Sequence, residues 1–293
     1  MTNHHRTQVA IDFNMKVILE RSLRARMTRF HSKIAISFTK SVARNTGVPD
    51  FEVYTPELEK ILEAHYMRVG RAFVDRVDRM MSDESKQLVQ VIETKLGQIA
   101  INTIAIKGVS AIPVVIARHF RVKALSESSK ITQTTKNHAR KVLDEVRRQA
   151  VNAASIGAEQ VQVASVSGSM FRMKLNGRLS GIVRLNTNEP AEVTKLTKIQ
   201  LLRGEQPSIA GGGSSKGTKT WANQGDSRVR VTPDSRFNHL FAEQTVTLNK
   251  PFIVSGEQLR FPGDSSLGAS IGNIIECRCS ATYDIADTVR SRR

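Results

Sequence analysis

Cys277 and Cys279 are the two cysteines of the chain, with Arg278 between them. In extended backbone, residues i and i+2 share a face, so both thiols would point one way and Arg278 the other. His239 is the residue that can join them. A histidine with two cysteines resembles part of a zinc site. Zinc needs a fourth ligand or an open position, however, and its paired cysteines normally have two to four residues between them, so the C-x-C spacing, with one, is cramped. A disulfide between the two would close a small strained ring. A cysteine beside a histidine is also the beginning of a nucleophilic pair. Nothing in the sequence orients the imidazole or marks an oxyanion hole. The expectation is buried, reduced, structural cysteines, with no metal, no cofactor, no catalytic residue and no small-molecule substrate. The chain is not expected to be an enzyme.

Upstream lie other residues with definite physical roles. Trp221 is the single tryptophan, and it is expected to anchor a small core. Asp226 with Arg228 or Arg230 can form a charge-assisted pair that pins a strand start. Phe261-Pro262-Gly263-Asp264 reads as a turn: proline presets φ, glycine permits positive φ, and aspartate caps the backbone. The glycine-rich run Ile209-Ala-Gly-Gly-Gly-Ser-Ser-Lys-Gly217 lacks the GxxxxGK[ST] spacing of a phosphate cradle and has no strong apolar strand before it. It reads as a flexible loop.

The elements that must position these residues change character along the chain. Met15–Ser41 has a helical stripe (Val17, Ile18, Leu23, Met27, Phe30, Ile34, Phe38) opposite a basic face that includes Arg21, Arg24, Arg26, Arg29 and Lys33. Asn45-Thr-Gly-Val-Pro49 stops it. Thr55-Pro-Glu is a helix start with Thr55 as N-cap, and the helix should run to about Met81. A further helix is predicted from Ser82. Another runs from Ser126 to about Ala154, with Arg140, Lys141, Arg147 and Arg148 outward and Asp144 placed to pair with Arg148. After about residue 155, glycines and short apolar stretches replace the long runs. Short strands are predicted at Arg228–Thr232, Gln244–Leu248, Phe252–Val254, Gln258–Phe261 and Ile274–Tyr283. The predicted fold class is α+β: a basic α-helical region over 1–165, a connecting segment with the glycine-rich loop over 166–218, a small mixed α/β domain of short strands over 219–285, and a basic tail over 286–293.

Composition limits the function classes. The chain has 293 residues, 40% hydrophobic and 24% charged, which excludes wholesale disorder. Aromatics are 5%, few for a protein that stacks on bases. Net charge is +17, spread over the chain, and draws it towards polyanions. No signal peptide is visible, and the natural place of synthesis is a reducing cytoplasm. The most apolar stretch, Leu96–Ala117, is interrupted by Gly108 and Pro113 and reads as a buried helix plus a second apolar segment rather than a membrane span.

The ordered set Lys219-Thr-Trp221, Asp226-Ser-Arg228-Val-Arg230, Arg236-Phe-Asn-His239, Phe261-Pro262-Gly263-Asp264, Asn273-Ile-Ile-Glu276 and Cys277-Arg278-Cys279 resembles the C-terminal domain of the phage Mu protein F-like family. These are minor head or head-morphogenesis proteins of tailed phages. The chain departs from the family pattern in lacking a glycine after His239, and Arg184-Leu-Asn-Thr-Asn-Glu189 only echoes the family's R-T-E-T motif. The resemblance implies a virion protein of few copies near the portal, with the portal protein as partner and the scaffold or major capsid protein as further contacts. It implies a role in head assembly or genome delivery. The charge adds non-specific contact with double-stranded DNA, for which the two basic faces named above are the candidate surfaces. A non-viral basic DNA-binding protein and a membrane-active ejection protein are the alternatives.

Overall fold

In the computed structural model of the chain, the described residues are 3–80, 111–153, 160–202, 217–223, 237–239, 242, 244–275 and 277–284. The fold is α+β, as the sequence indicates. Among the described residues, four long helices, α1 (Asn3–Ala43), α2 (Thr55–Met80), α3 (Val114–Ala153) and α4 (Gln160–Leu202), precede five short strands. These are β1 (Thr218–Ala222), β2 (Thr245–Thr247), β3 (Phe252–Val254), β4 (Glu257–Leu259) and β5 (Ser280–Tyr283), with a one-turn helix α5 (Ile271–Ile274) before β5.

Local chemistry sets the helix ends. Asn45 sits at φ 57°, Thr46 N–H bonds to the Ser41 carbonyl and Asn45 N–H to that of Val42. This is a Schellman stop with asparagine in the left-handed position. At the start of α2, Asp50 Oδ1 accepts the Glu52 N–H at 2.9 Å and opens a 3-10 turn over Glu52–Tyr54. Thr55 already has helical angles, φ −56° and ψ −44°. It therefore does not take the N-cap role expected of it, and its hydroxyl instead donates to Thr132 Oγ1. Pro113 precedes α3, and its carbonyl accepts from Ile116 and Ala117. The helix predicted from Ser82 and most of the apolar stretch 96–117 lie outside the described residues. Among the described residues, no helix is long and apolar enough to cross a membrane.

The main correction concerns 166–218. The greater part of the predicted connecting segment is helix α4, which runs unbroken to Leu202. Gly168, Gly177 and Gly181 lower its intrinsic propensity, but burial overrides them. At Gly168 an added Cβ would collide with Thr39 Oγ1, so the glycine marks a close approach rather than a linker. Pro190 lies inside the helix, where it removes one backbone N–H.

The chain divides into two compact units, each built from separated segments. One comprises Arg21–Ala64 and Arg121–Val183. Its helices bury the expected stripe of Leu23, Met27, Phe30, Ile34 and Phe38. Ile18, predicted to share that stripe, is 65% exposed. Phe171 of α4 packs on Phe38 at 4.6 Å and stacks on Phe51 at 5.8 Å.

The other unit comprises Met1–Glu20, His65–Phe120 and Arg184–Arg293. The small domain is therefore not built from 219–285 alone. It holds a three-stranded antiparallel sheet, β2-β1-β5, and the two-stranded β3–β4 hairpin. Ser255 and Gly256 both take positive φ in the hairpin turn, the geometry that matches strand twist. Trp221 pairs with Ala281 across β1 and β5. The core joins Trp221, Phe252, Leu259, Phe261, Cys277 and Cys279 to Val193, Leu196 and Ile199 of α4 and Val77 of α2.

Candidate functional site

Three connected clusters in the strand-bearing unit hold the residues that the sequence pattern singles out. The first surrounds Asp264. Phe261–Asp264 closes a turn through the Asp264 N–H and the Phe261 carbonyl, with Gly263 at φ 85°. A Cβ on Gly263 would also press to 2.9 Å of Asn188 Nδ2, and that amide donates to the Pro262 carbonyl at 2.9 Å. The buried Asp264 carboxylate accepts the Arg260 N–H at 2.8 Å, the Arg260 guanidinium at 3.2 Å and the Ser266 N–H at 3.0 Å. Burial pushes its pKa up, but the Arg260 charge and the hydrogen bonds outweigh this and hold it below the usual carboxylate value. The capping role read from the sequence is present, and Arg260 is a partner the sequence reading missed.

The second cluster is a chain of buried charges on α1, α2 and α4. Lys16 Nζ bonds to Glu192 Oε1 at 2.7 Å, to Asn188 Oδ1 at 2.5 Å and to Ser280 Oγ at 2.8 Å. Lys195 Nζ bonds to Asp12 Oδ2 at 2.8 Å and to the Ala281 carbonyl at 2.9 Å. Arg76 completes the Asp12 pairing at 3.1 Å. Glu192 Oε2 accepts the Ala281 N–H at 3.1 Å, so the network grips the backbone of β5. Burial would lower the Lys195 pKa, yet Asp12 and Glu192 raise it overall, and Asp12 is lowered in turn against its own burial. One turn before Pro190, Asn186 accepts from the Tyr66 hydroxyl and Thr187 bonds with His65 Nε2 at 3.0 Å. The sequence marked Asn186–Glu189 only as a motif echo, and none of these pairings was identified from it. The available signal was the polar run Asn186-Thr-Asn-Glu189 in a segment that is otherwise apolar every third or fourth residue.

The third cluster brings together His239, Cys277 and Cys279. His239 Nδ1 lies 3.6 Å from Cys277 Sγ and 3.7 Å from Cys279 Sγ. Cys277 and Cys279 face inward, while Arg278 points the other way, its guanidinium 5.6 Å from the Phe13 ring. This is the alternation the sequence predicts, achieved in irregular backbone just before β5. His239 Nε2 meets Asn273 Oδ1 at 3.2 Å. Trp221 is edge-on to His239 at 5.6 Å and to Phe252 at 5.3 Å. The Cys277 thiol is the more acidic of the two, because a hydrogen bond from Cys279 favours its thiolate against burial. The shared proton and burial raise Cys279. Lys219, the first residue of the K-x-W pattern, is buried and donates to the Arg260 carbonyl at 2.6 Å over the Phe252 ring. Its pKa is pushed down to about 8 by burial and then by Arg260. Asp226, Arg228 and Arg230 lie outside the described residues.

The predicted basic faces fall in the helical unit. Arg21, Arg29, Arg140, Lys141 and Arg147 are exposed. Arg24 and Arg26 are half-buried, and Arg24 donates to Ser180. Lys33 pairs with Glu57 at 2.5 Å. Arg148 pairs with Glu145 at 2.6 Å, one residue from the expected Asp144, because i,i+3 neighbours also share a helix face. Between α3 and α4 lies a 540 Å³ groove lined in part by His138, Lys141, Arg148 and Lys174. Burial lowers the His138 pKa, and Arg178, Lys141 and Lys174 lower it further. In comparison with known proteins, the chain matches no family model, no curated protein and no solved structure.

Proposed function

We propose that the protein is a minor head protein of a tailed phage, held at the portal and against packaged DNA, acting in head assembly or genome delivery. One observation carries this reading. Trp221, His239, the Phe261–Asp264 turn, Cys277 and Cys279, which carry the resemblance to the phage Mu protein F-like family, are all buried in one small α+β core. An ordered set of residues with an architectural role is expected to converge in this way, and each member here has a packing, turn or hydrogen-bonding role. The exposed arginines of α1 and α3 supply a surface for phosphate contacts that position a protein without reading sequence.

The reading is tested by virion composition and portal capture together. The expected result is the protein in purified particles at far lower copy than the capsid protein, and its recovery with purified portal. No capture by portal together with absence from particles, by mass spectrometry, overturns it.

A further inference from the structure

We propose that His239, Cys277 and Cys279 form a zinc(II) site, with Asn273 as the residue that positions the histidine. The ligand-bearing atoms all lie within 4.8 Å of one another, and they are the one such group among the described residues. Zinc binds sulfur at about 2.3 Å and imidazole nitrogen at about 2.0–2.1 Å, so tetrahedral angles separate two such ligand atoms by about 3.6 Å. His239 Nδ1 stands 3.6 and 3.7 Å from the two sulfurs. An S–H···N hydrogen bond uses the single lone pair of the ring nitrogen on one sulfur, whereas one shared zinc(II) would set both sulfurs at that distance.

The outer contacts fix that lone pair. Asn273 Nδ2 donates to Glu257 Oε2 at 2.7 Å and to the Val254 carbonyl at 3.2 Å. Its Oδ1 is therefore the atom facing His239 Nε2, which must carry the ring proton. Nδ1 is left unprotonated and turned towards both sulfurs. Glu257 is anchored in its turn by the Ser270 N–H at 2.8 Å. A carboxylate–amide–imidazole relay of this kind is how proteins orient metal-bound histidines.

Charge favours the same assignment. Zinc(II) on two thiolates and a neutral imidazole is a neutral centre, and the two thiol protons leave to solvent on binding. Neutrality suits a pocket where His239 is 9%, Cys277 4% and Cys279 2% exposed. Sulfur and imidazole donors select zinc over magnesium or calcium. Three protein ligands leave one position for a small exogenous donor such as water. The cramped C-x-C spacing is relieved because the third ligand arrives from a distant segment and the pair lies outside regular strand. This site does not depend on the head-protein reading, and portal capture has no bearing on it.

The experiment uses the full chain, purified under reducing conditions, with zinc(II) alone as probe. One zinc per chain is expected, with a melting temperature that falls on chelation and recovers when zinc(II) is returned. Cobalt(II) in its place should show thiolate-to-cobalt charge-transfer absorption. The C277A/C279A variant should lose the metal, and Asn273→Ala should weaken affinity about 10–100-fold while leaving all three ligands. Should the cysteine variant not fold, alkylation of the native thiols serves: zinc(II) should protect them and a chelator should expose them. A reduced chain that neither carries nor takes up zinc(II), and whose melting and alkylation are indifferent to it, overturns the proposal. Undiminished stoichiometric binding in C277A/C279A overturns it equally.

Discussion

Asp264 and His31 both tie stability to pH, by different physics. The Asp264 carboxylate is held below its usual pKa by Arg260 and Ser266 despite burial. Its contribution is complete above about pH 4, the unfolded value, and fades as pH falls through the lower folded value. His31 is buried, and neither ring nitrogen has a hydrogen-bond partner among the described residues. Burial and then Arg178 push its pKa down to about 4. A depressed folded value means the stability is whole above about pH 6.5 and is lost as pH drops towards 4, up to about 3 kcal/mol. His31→Leu should therefore flatten the loss between pH 6.5 and 4.5 in urea denaturation, leaving the steeper fall below pH 4. An unchanged slope would mean that the imidazole is already protonated in the fold. Of these details the sequence disclosed the Pro262-Gly263 turn and the Asp264 cap, because turn chemistry is local. Asn273 and Lys16 acquire their roles only through residues distant in the chain, so local pattern could not reveal them, whereas Arg260 bonds Asp264 only four residues on and was overlooked because i,i+4 pairing in a turn has no fixed signature.

Among the elements, the bodies of α1, α2 and α3 were legible because their apolar residues recur every three or four positions, and Asn45 and Pro56 mark a stop and a start; the true starts of α1 and α3, Asn3 and Val114, lie well before the Met15 and Ser126 read from the sequence. Helix α4 was not. Its glycines, its polar run and Pro190 all argue locally against helix, and tertiary packing decides otherwise. Two of those glycines separate packing from propensity. Gly168 abuts Thr39, whereas none of the described residues lies within 4 Å of a Cβ placed on Gly177. Gly177→Ala should stabilise the protein by about 0.4–1 kcal/mol. Gly168→Ala should destabilise it despite the same gain in propensity, by about 1–3 kcal/mol, the scale of overpacking. Equal shifts in the two denaturation midpoints would show that Thr39 yields freely.

At the scale of the molecule, a net charge of +17 attracts polyanions. Binding to duplex DNA should be indifferent to sequence and, with about six phosphates neutralised, weaken by about three decades between 50 and 200 mM salt. Charge reversal at exposed Arg21, Arg29, Arg140 and Arg147 should reduce both affinity and salt slope. Lys33 and Arg148, already paired with Glu57 and Glu145, should matter less. Affinity that is flat with salt, by fluorescence anisotropy, would assign the charge to an acidic protein partner instead. The buried ion network has a consequence in time as well. Lys16 meets Ser280 across 264 residues of chain, and Asp12 meets Lys195 across 183. During translation at about 5–20 residues per second, the first helix emerges some ten seconds to a minute before its last partner. Until then Asp12 and Lys16, one turn apart, keep water on a helix face that is later sealed. Charges that are expensive to bury in the finished fold therefore keep that face polar while the chain is incomplete, and the β2-β1-β5 sheet closes only when β5 has been made.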